Sequence, residues 1–173
     1  MDVFVEQLTK RENKKSERVL RVALYAVCGL VSGFTILFFM NFLGGRLAAF
    51  SAFVIAGLFY LAYFVSGQLN IEFEYILTNG TFDIDAVINM RKRRRLASFE
   101  CKDLEHFGKY DANHDYNCNG TIFAANETSD NLYCAVCNLK EKGRVLVVID
   151  PNDKMISGLK KCLPRQISLK AFE

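Results

Sequence analysis

Five consecutive basic residues form the most conspicuous chemical feature of the chain: Arg91, Lys92, Arg93, Arg94 and Arg95. Adjacent cations are expensive to bury and are usually solvated, so this run is either a solvated face or a surface that binds an anionic partner. The candidates are lipid headgroups, an acidic protein and nucleic acid.

A nucleic-acid-binding domain normally carries excess positive charge. The region after Gly67 has 15 basic and 15 acidic residues, since seven of the 22 basic and four of the 19 acidic residues precede it. Nucleic acid is therefore not an expected partner.

A second group of residues could bind a metal or perform thiol chemistry: His114, Cys118, Cys134 and Cys137. Cys134 and Cys137 form a CxxC motif, but it lies in a strand-like run, in which residues three apart point to opposite faces. Tetrahedral zinc needs thiolates that converge, usually from a tight turn, and no second CxxC is present. We therefore expect no metal and no cofactor, and a metal-binding or catalytic domain that uses these four residues stays as the alternative.

The common catalytic motifs are missing from the sequence. It contains only two His and no GxSxG, P-loop, GxGxxG or HExxH pattern. We expect that the protein is not an enzyme.

Two long apolar segments precede these residues, at 22–43 and 47–67, and neither contains a charged residue. About 20 helical residues at 1.5 Å each cross a ~30 Å hydrocarbon core. A buried helical hairpin of a soluble core normally keeps a polar stripe, which is missing here. The sequence therefore predicts two transmembrane helices, and the three residues between them predict a helical hairpin.

Small residues recur along both predicted spans, namely Gly29, Gly33, Ala52 and Ala56. Small side chains allow helix backbones to approach closely. They predict helix packing, either within the hairpin or between copies of the chain.

Basic residues are distributed unequally around the two spans. Six lie in residues 1–21 and the run at 91–95 follows the second span, whereas Arg46 alone lies in the turn. The positive-inside rule then puts both termini in the cytoplasm, with the protein integral to the plasma membrane. Residues 1–21 form a basic arm in which Met1, Phe4, Val5 and Leu8 have helical spacing. This arm is expected to be a short amphipathic helix that lies on the membrane or docks on the domain or a partner.

The period of apolar residues changes to two in the remaining region, 68–173. Alternation on both sides of Asn79-Gly80 predicts one β-hairpin, and "NLYCAVCNL" and "RVLVVID" around "KEKG" predict another. The basic run lies between a strand that ends near Met90 and one that begins near Leu96, so it is expected at a hairpin tip. A single terminal helix is predicted to begin with Asp150 as its N-cap and to stop near Pro164.

A curved antiparallel sheet closed by one C-terminal helix resembles the pleckstrin-homology-like barrel, an α+β fold. From "MDVFVEQL" through "EYILTNGTFDID" and "RKRRRLASFE" to "DPNDKMISGLKKCLPRQI", the chain is similar to a family of small, uncharacterised bacterial membrane proteins. The resemblance implies a transmembrane hairpin that holds a pleckstrin-homology-like domain at the cytoplasmic face. Such domains bind phosphoinositides, peptides or other proteins, so the fold leaves the function open.

These observations together predict a membrane-anchored binding or scaffolding module. Its cytoplasmic domain is expected to contact anionic lipid or a protein partner through Arg91–Arg95, supported by Lys14 and Lys15. A structural subunit of a larger membrane complex, or a homo-oligomer, is a further alternative.

Overall fold

The computed structural model describes residues 3–12, 15–42, 48–140 and 142–172. The chain divides into two compact units. The first combines Met1–Glu12 with Ile71–Glu173, and the second is Asn13–Asn70.

The second unit consists of two apolar helices, α1 (Lys15–Phe42) and α2 (Ala48–Gly67). Both are long and apolar enough to cross a membrane. They coincide with the predicted spans, except that α1 begins seven residues earlier, because the charged residues before Val22 continue the helix. Most side chains on both helices are exposed, and the contact between the helices is made by small residues that include Cys28, Ser32, Ser51 and Ala62.

The small residues singled out in the sequence lie elsewhere on these helices. Gly29, Gly33, Ala52 and Ala56 are exposed, and a Cβ added at either glycine would meet no atom within 4 Å. They do not form the contact between α1 and α2, because the buried positions fall on the adjacent faces. Their use in packing against a further helix stays a prediction.

The first unit begins with a four-stranded antiparallel sheet, which we call sheet 1. Its strands are β1 (Phe4–Lys10), β2 (Ile71–Thr78), β3 (Thr81–Ile88) and β4 (Lys92–Glu100), in that spatial order. The predicted hairpin at Asn79-Gly80 is confirmed: the two residues join β2 to β3 with φ angles of +48° and +91°.

Strand β1 corrects the helix that was predicted for the basic arm. Its residues also fit a period of two, since Val3 and Val5 pack against the core while Phe4 and Leu8 are exposed. Short isolated helices are marginal in water. The segment pairs with β2 over seven residue pairs, from Phe4 with Thr78 to Lys10 with Glu72. This pairing stabilises the strand over the helix.

A second sheet, sheet 2, contains β5 (His106–Lys109), β6 (Gly120–Ala124), β7 (Tyr133–Leu139) and β8 (Gly143–Ile149), in the order β5-β7-β8-β6. The predicted hairpin of β7 and β8 is confirmed. Strand β6 is parallel to β8, so this sheet is mixed.

The predicted closed barrel is wrong for the described residues, in which the two sheets stay separate. A 3₁₀ turn at Cys101–Asp103 diverts the chain at the end of β4, and β5 pairs with β7 rather than with β4. A groove of about 660 Å³ separates β4 from the β7–β8 hairpin. One apolar core still joins the two sheets, with Tyr75 and Ile84 from sheet 1 and Val147 and Ile149 from sheet 2.

Two C-terminal helices, rather than one, follow sheet 2: α3 (Asp153–Cys162) and α4 (Arg165–Ala171). The first ends before Pro164 as predicted, but Pro164 is then the N-cap of α4, directly before its first residue, Arg165. The N-cap of α3 is Asn152, whose side chain accepts a hydrogen bond from the Met155 N–H, and not Asp150. Asp150 instead accepts a hydrogen bond from the Ser129 hydroxyl.

Candidate anion-binding surface

The basic run lies mostly within a strand and not at a hairpin tip as predicted. Only Arg91 belongs to the turn, and Lys92 to Arg95 are the first four residues of β4. They pair with Ile88, Val87, Ala86 and Asp85 of β3. All five basic side chains are exposed.

A β-bulge at Leu96 sorts these cations between the two faces of sheet 1. Ile84 pairs with Ala97 and Asp85 with Arg95, so Leu96 has no partner in β3. A bulge inserts one extra residue and reverses the alternation of side chains beyond it. Arg93 and Arg95 therefore share a face with Asp85, whereas Lys92 and Arg94 lie on the opposite face.

Acidic residues of β2 and β3 form ion pairs with the two arginines on that face. The Arg95 guanidinium binds Asp85 and lies 2.9 Å from an Asp83 oxygen. Its hydrogen bond to Asp85 raises the pKa of Arg95. Arg93 donates to one Glu74 oxygen at 3.1 Å and lies 3.0 Å from the other.

Glu74 is the most buried acidic residue on this face. It is only 4% exposed, and burial raises the pKa of its carboxyl group, opposed by the Arg93 charge and reinforced by Glu6. Arg93 and Arg95 are therefore used within the fold.

Three cations of the run have no acidic partner among the described residues: Arg91, Lys92 and Arg94. Their side chains are exposed, and no carboxylate in the described part of the chain lies within ion-pairing distance. Together with Met90 we call them the basic tip. They are the cations of this run that can bind an external anion.

The turn at the basic tip has an unusual backbone. Asn89 and Met90 have φ angles of +50° and +53°, and the Arg91 N–H donates to the Ile88 carbonyl at 3.1 Å. Positive φ at both central residues is typical of type I′ hairpin turns, in which Asn-Gly is preferred. Met90 occupies the glycine position, and its side chain is 78% exposed.

The basic tip lies at one particular end of sheet 1. Ile88, which precedes the turn, pairs with Ile71, the first residue of β2. The Arg11 N–H, just after β1, donates to the Ile71 carbonyl at 3.2 Å. The chain therefore leaves β1 for α1, and enters β2 from α2, at the end of the sheet that carries the basic tip.

Of the two supporting lysines, only Lys15 belongs to the described residues. Lys15 is the first residue of α1 and is exposed. Lys14 lies outside the described residues.

The four proposed metal ligands do not form one site, although Cys118 packs against the same small cluster as Cys134. Cys137 is buried in the main core, and Cys134 lies in a smaller cluster on the other face of sheet 2. Burial raises the pKa of Cys137 to about 12 and also raises that of Cys134, so both are thiols. The His114 ring packs against Tyr116, 4.7 Å between centroids. Within the described ranges, no group of three or more His, Cys, Asp or Glu side chains could hold a metal ion.

Residues that matter at this surface escaped the sequence analysis. The partners Glu74, Asp83 and Asp85 could have been suspected from their alternation in β2 and β3, but their pairing depends on the bulge. Met90 is exposed because it lies in the β3–β4 turn, directly before the basic run.

Two sheets around one apolar core, followed by two C-terminal helices, give the first unit an α+β architecture. Residues 1–169 match the sequence model of a family described as bacterial PH-like domain (DUF6106). The chain belongs to this family, whose function is unknown. Searches of curated proteins and of solved structures found no match.

Proposed function

We propose that the protein is a membrane-anchored binding module whose basic tip contacts anionic lipid headgroups of the membrane that holds α1 and α2. One observation carries the proposal. Three cations without acidic partners among the described residues lie at the end of sheet 1 from which both connections to the helices depart.

The exposure of the helices supports membrane insertion. In the most apolar window of each helix only 11% and 22% of the residues are buried. Leu30, Phe34 and Phe53 are each more than 70% exposed. Apolar surface of this extent on a soluble protein would be unfavourable, whereas hydrocarbon accommodates it.

The pairing of β1 with β2 supports a hairpin with both ends on one side. These strands flank the two helices in the sequence, and they pair along seven residue pairs. They can pair only if the chain crosses the membrane an even number of times. The basic residues of the arm then favour the cytoplasmic side.

The short connection between α2 and β2 supports contact of the basic tip with the surface. Only residues 68–70 separate Gly67 from Ile71, which limits that distance to about 14 Å in a fully extended chain. Near an anionic surface each cation gains about 1 kcal/mol. A tethered domain holds this surface at high effective concentration, so three weak contacts suffice. The proposed role is therefore binding.

The test uses full-length protein in nanodiscs of phosphatidylcholine, with and without phosphatidylglycerol. Hydrogen–deuterium exchange is followed in peptides that cover residues 88–95. We expect slower exchange in the anionic discs, lost at high salt because surface electrostatics are screened. The combined variant Arg91→Ser, Lys92→Ser and Arg94→Ser should exchange at the same rate in both discs.

A matched control removes three other exposed lysines, Lys140, Lys142 and Lys154, which changes the net charge equally. This control should keep the lipid dependence. Equal exchange of the unmodified protein in both discs would refute headgroup contact by the basic tip.

A further inference from the structure

We propose that Met90 inserts into the bilayer below the headgroups, so that the basic tip is an apolar anchor ringed by cations. This inference rests on the proposed function, because it requires the tip to face the membrane. Its ligand is the boundary between headgroups and acyl chains of an anionic bilayer, and not a free phosphate.

Met90 occupies a position from which its side chain can reach a surface. The residue is at the apex of the β3–β4 turn, 78% exposed, and no described residue forms a hydrogen bond or ring contact with it. Its φ of +53° is one that long side chains rarely adopt. The fold therefore presents a large apolar side chain where Asn or Gly would serve the turn better.

Exposed cations follow Met90 in the sequence. Arg91 and Lys92 follow it directly, and Arg94 lies two residues further along β4. All three are exposed and have no acidic partner in the described part of the chain. Apolar side chains beside cations are typical of segments that lie in the interface of anionic membranes. Long basic side chains there keep their charge at headgroup level while their stems contact apolar surface.

Phe4 provides an internal comparison. It is also exposed, at 67%, on the same sheet. However, it pairs with Thr78, beside the Asn79-Gly80 turn at the opposite end of sheet 1. Membrane insertion at the basic tip therefore predicts different environments for positions 90 and 4.

The chain contains no Trp, so a single substitution introduces a fluorescent reporter. Full-length Met90→Trp is reconstituted into vesicles of phosphatidylcholine and phosphatidylglycerol, in which the acyl chains are brominated near the headgroup in one sample and unmodified in the other. We expect blue-shifted emission that is quenched by the brominated lipid, because an inserted side chain lies at the boundary between headgroups and acyl chains. Phe4→Trp should emit as a solvent-exposed reporter and should not be quenched.

Two further variants keep the inference distinct from the proposed function. Met90→Asn suits the turn but cannot insert, so it should speed exchange of residues 88–95 in anionic nanodiscs without unfolding the sheet. The three serine substitutions at Arg91, Lys92 and Arg94, combined with Met90→Trp, should abolish quenching.

Solvent-like emission from Met90→Trp without quenching, while exchange in the unmodified protein still depends on anionic lipid, would overturn insertion and leave headgroup binding intact. Equal quenching in pure phosphatidylcholine and in the serine background would show that Met90 inserts without help from the cations, which would overturn the cation-ringed anchor and refute the anionic-lipid proposal.

Discussion

At the scale of single residues, Tyr75 links the two sheets through one buried hydroxyl group. The hydroxyl donates to the Ala124 carbonyl at the end of β6 and accepts a hydrogen bond from the Asp150 N–H, at 3.2 Å, just after β8. The side chain is completely buried, and burial raises the pKa of its phenol. Two backbone groups of sheet 2 therefore depend on one side chain of sheet 1.

Replacing Tyr75 by Phe should lower the free energy of unfolding by about 1–3 kcal/mol, because both backbone groups lose their partner in a buried site. Urea denaturation of the full-length protein in mild detergent measures this. Tyr133→Phe is the matched control, since Tyr133 is also buried but its hydroxyl makes no hydrogen bond to any described residue. Equal losses in the two variants would contradict the linking role.

Glu74 should make stability depend on pH. Its pKa in the folded protein is raised above the ordinary value of 4.5, chiefly by burial. A raised pKa means that the contribution of this group is fully present below pH 4.5 and is lost as the pH rises through the folded pKa.

The variant Glu74→Gln removes this titration. Its stability relative to the unmodified protein should therefore rise with pH above about 4.5 and then level off. Denaturation at a series of pH values checks the sign. If the variant instead lost stability relative to the parent as the pH rose, the ion pair with Arg93 would outweigh the burial of Glu74.

At the scale of elements, helix α3 lies unusually close to sheet 1 at Gly158. A Cβ built there would lie 3.0 Å from Leu77 Cδ2 and 3.1 Å from Val5 Cγ2. The glycine therefore allows the helix to approach both β1 and β2.

Gly158→Val should destabilise the first unit by about 1–3 kcal/mol, since the added carbons overpack this contact. Ser157→Val, one residue earlier on the exposed side of α3, introduces the same β-branched side chain without the clash. Thermal unfolding should therefore show a clearly lower midpoint for Gly158→Val alone. Similar midpoints would mean that α3 can move away from the sheet at no cost.

The elements differ in how well the sequence predicts them, for local reasons. The β2–β3 and β7–β8 hairpins were predictable, because their turns and their alternation agree. Strand β1 was not, since Phe4, Val5 and Leu8 suit a helix as well as a strand, and only pairing with β2 decides between them. The bulge at Leu96 left no local signal, so the division of the cations between the two faces of β4 could not be foreseen.

At the scale of the whole molecule, the first unit is discontinuous in sequence. Strand β1 is separated from its partner β2 by the two helices, so a fragment that starts at residue 68 lacks an outer strand of sheet 1. The predicted division of the chain at residue 68 would therefore remove Val3 and Val5 from the core.

A soluble form should be obtained by joining residues 1–11 to 71–173 through Asn-Gly, since Arg11 and Ile71 are hydrogen-bonded neighbours. We expect this protein to unfold cooperatively, at a higher urea midpoint than a fragment of residues 68–173. Circular dichroism and size-exclusion chromatography compare the two. A fragment as stable as the joined protein would show that β1 adds nothing to the core.

The overall architecture was predictable only in part. The order of apolar spans, strands and terminal helix follows from periodicity, but the separation into two sheets does not. It depends on the parallel pairing of β6 with β8 and on the pairing of β5 with β7, and both join segments that are distant in sequence.

The placement of β1 before the helices also has a consequence for biogenesis. During synthesis β1 emerges before both helices and has no partner until β2 has been made. If only one helix inserted, β1 and β2 would be held on opposite sides of the membrane, and the open edge of β2 would be free to pair with other chains. Insertion of both helices would therefore be a condition for the completion of sheet 1.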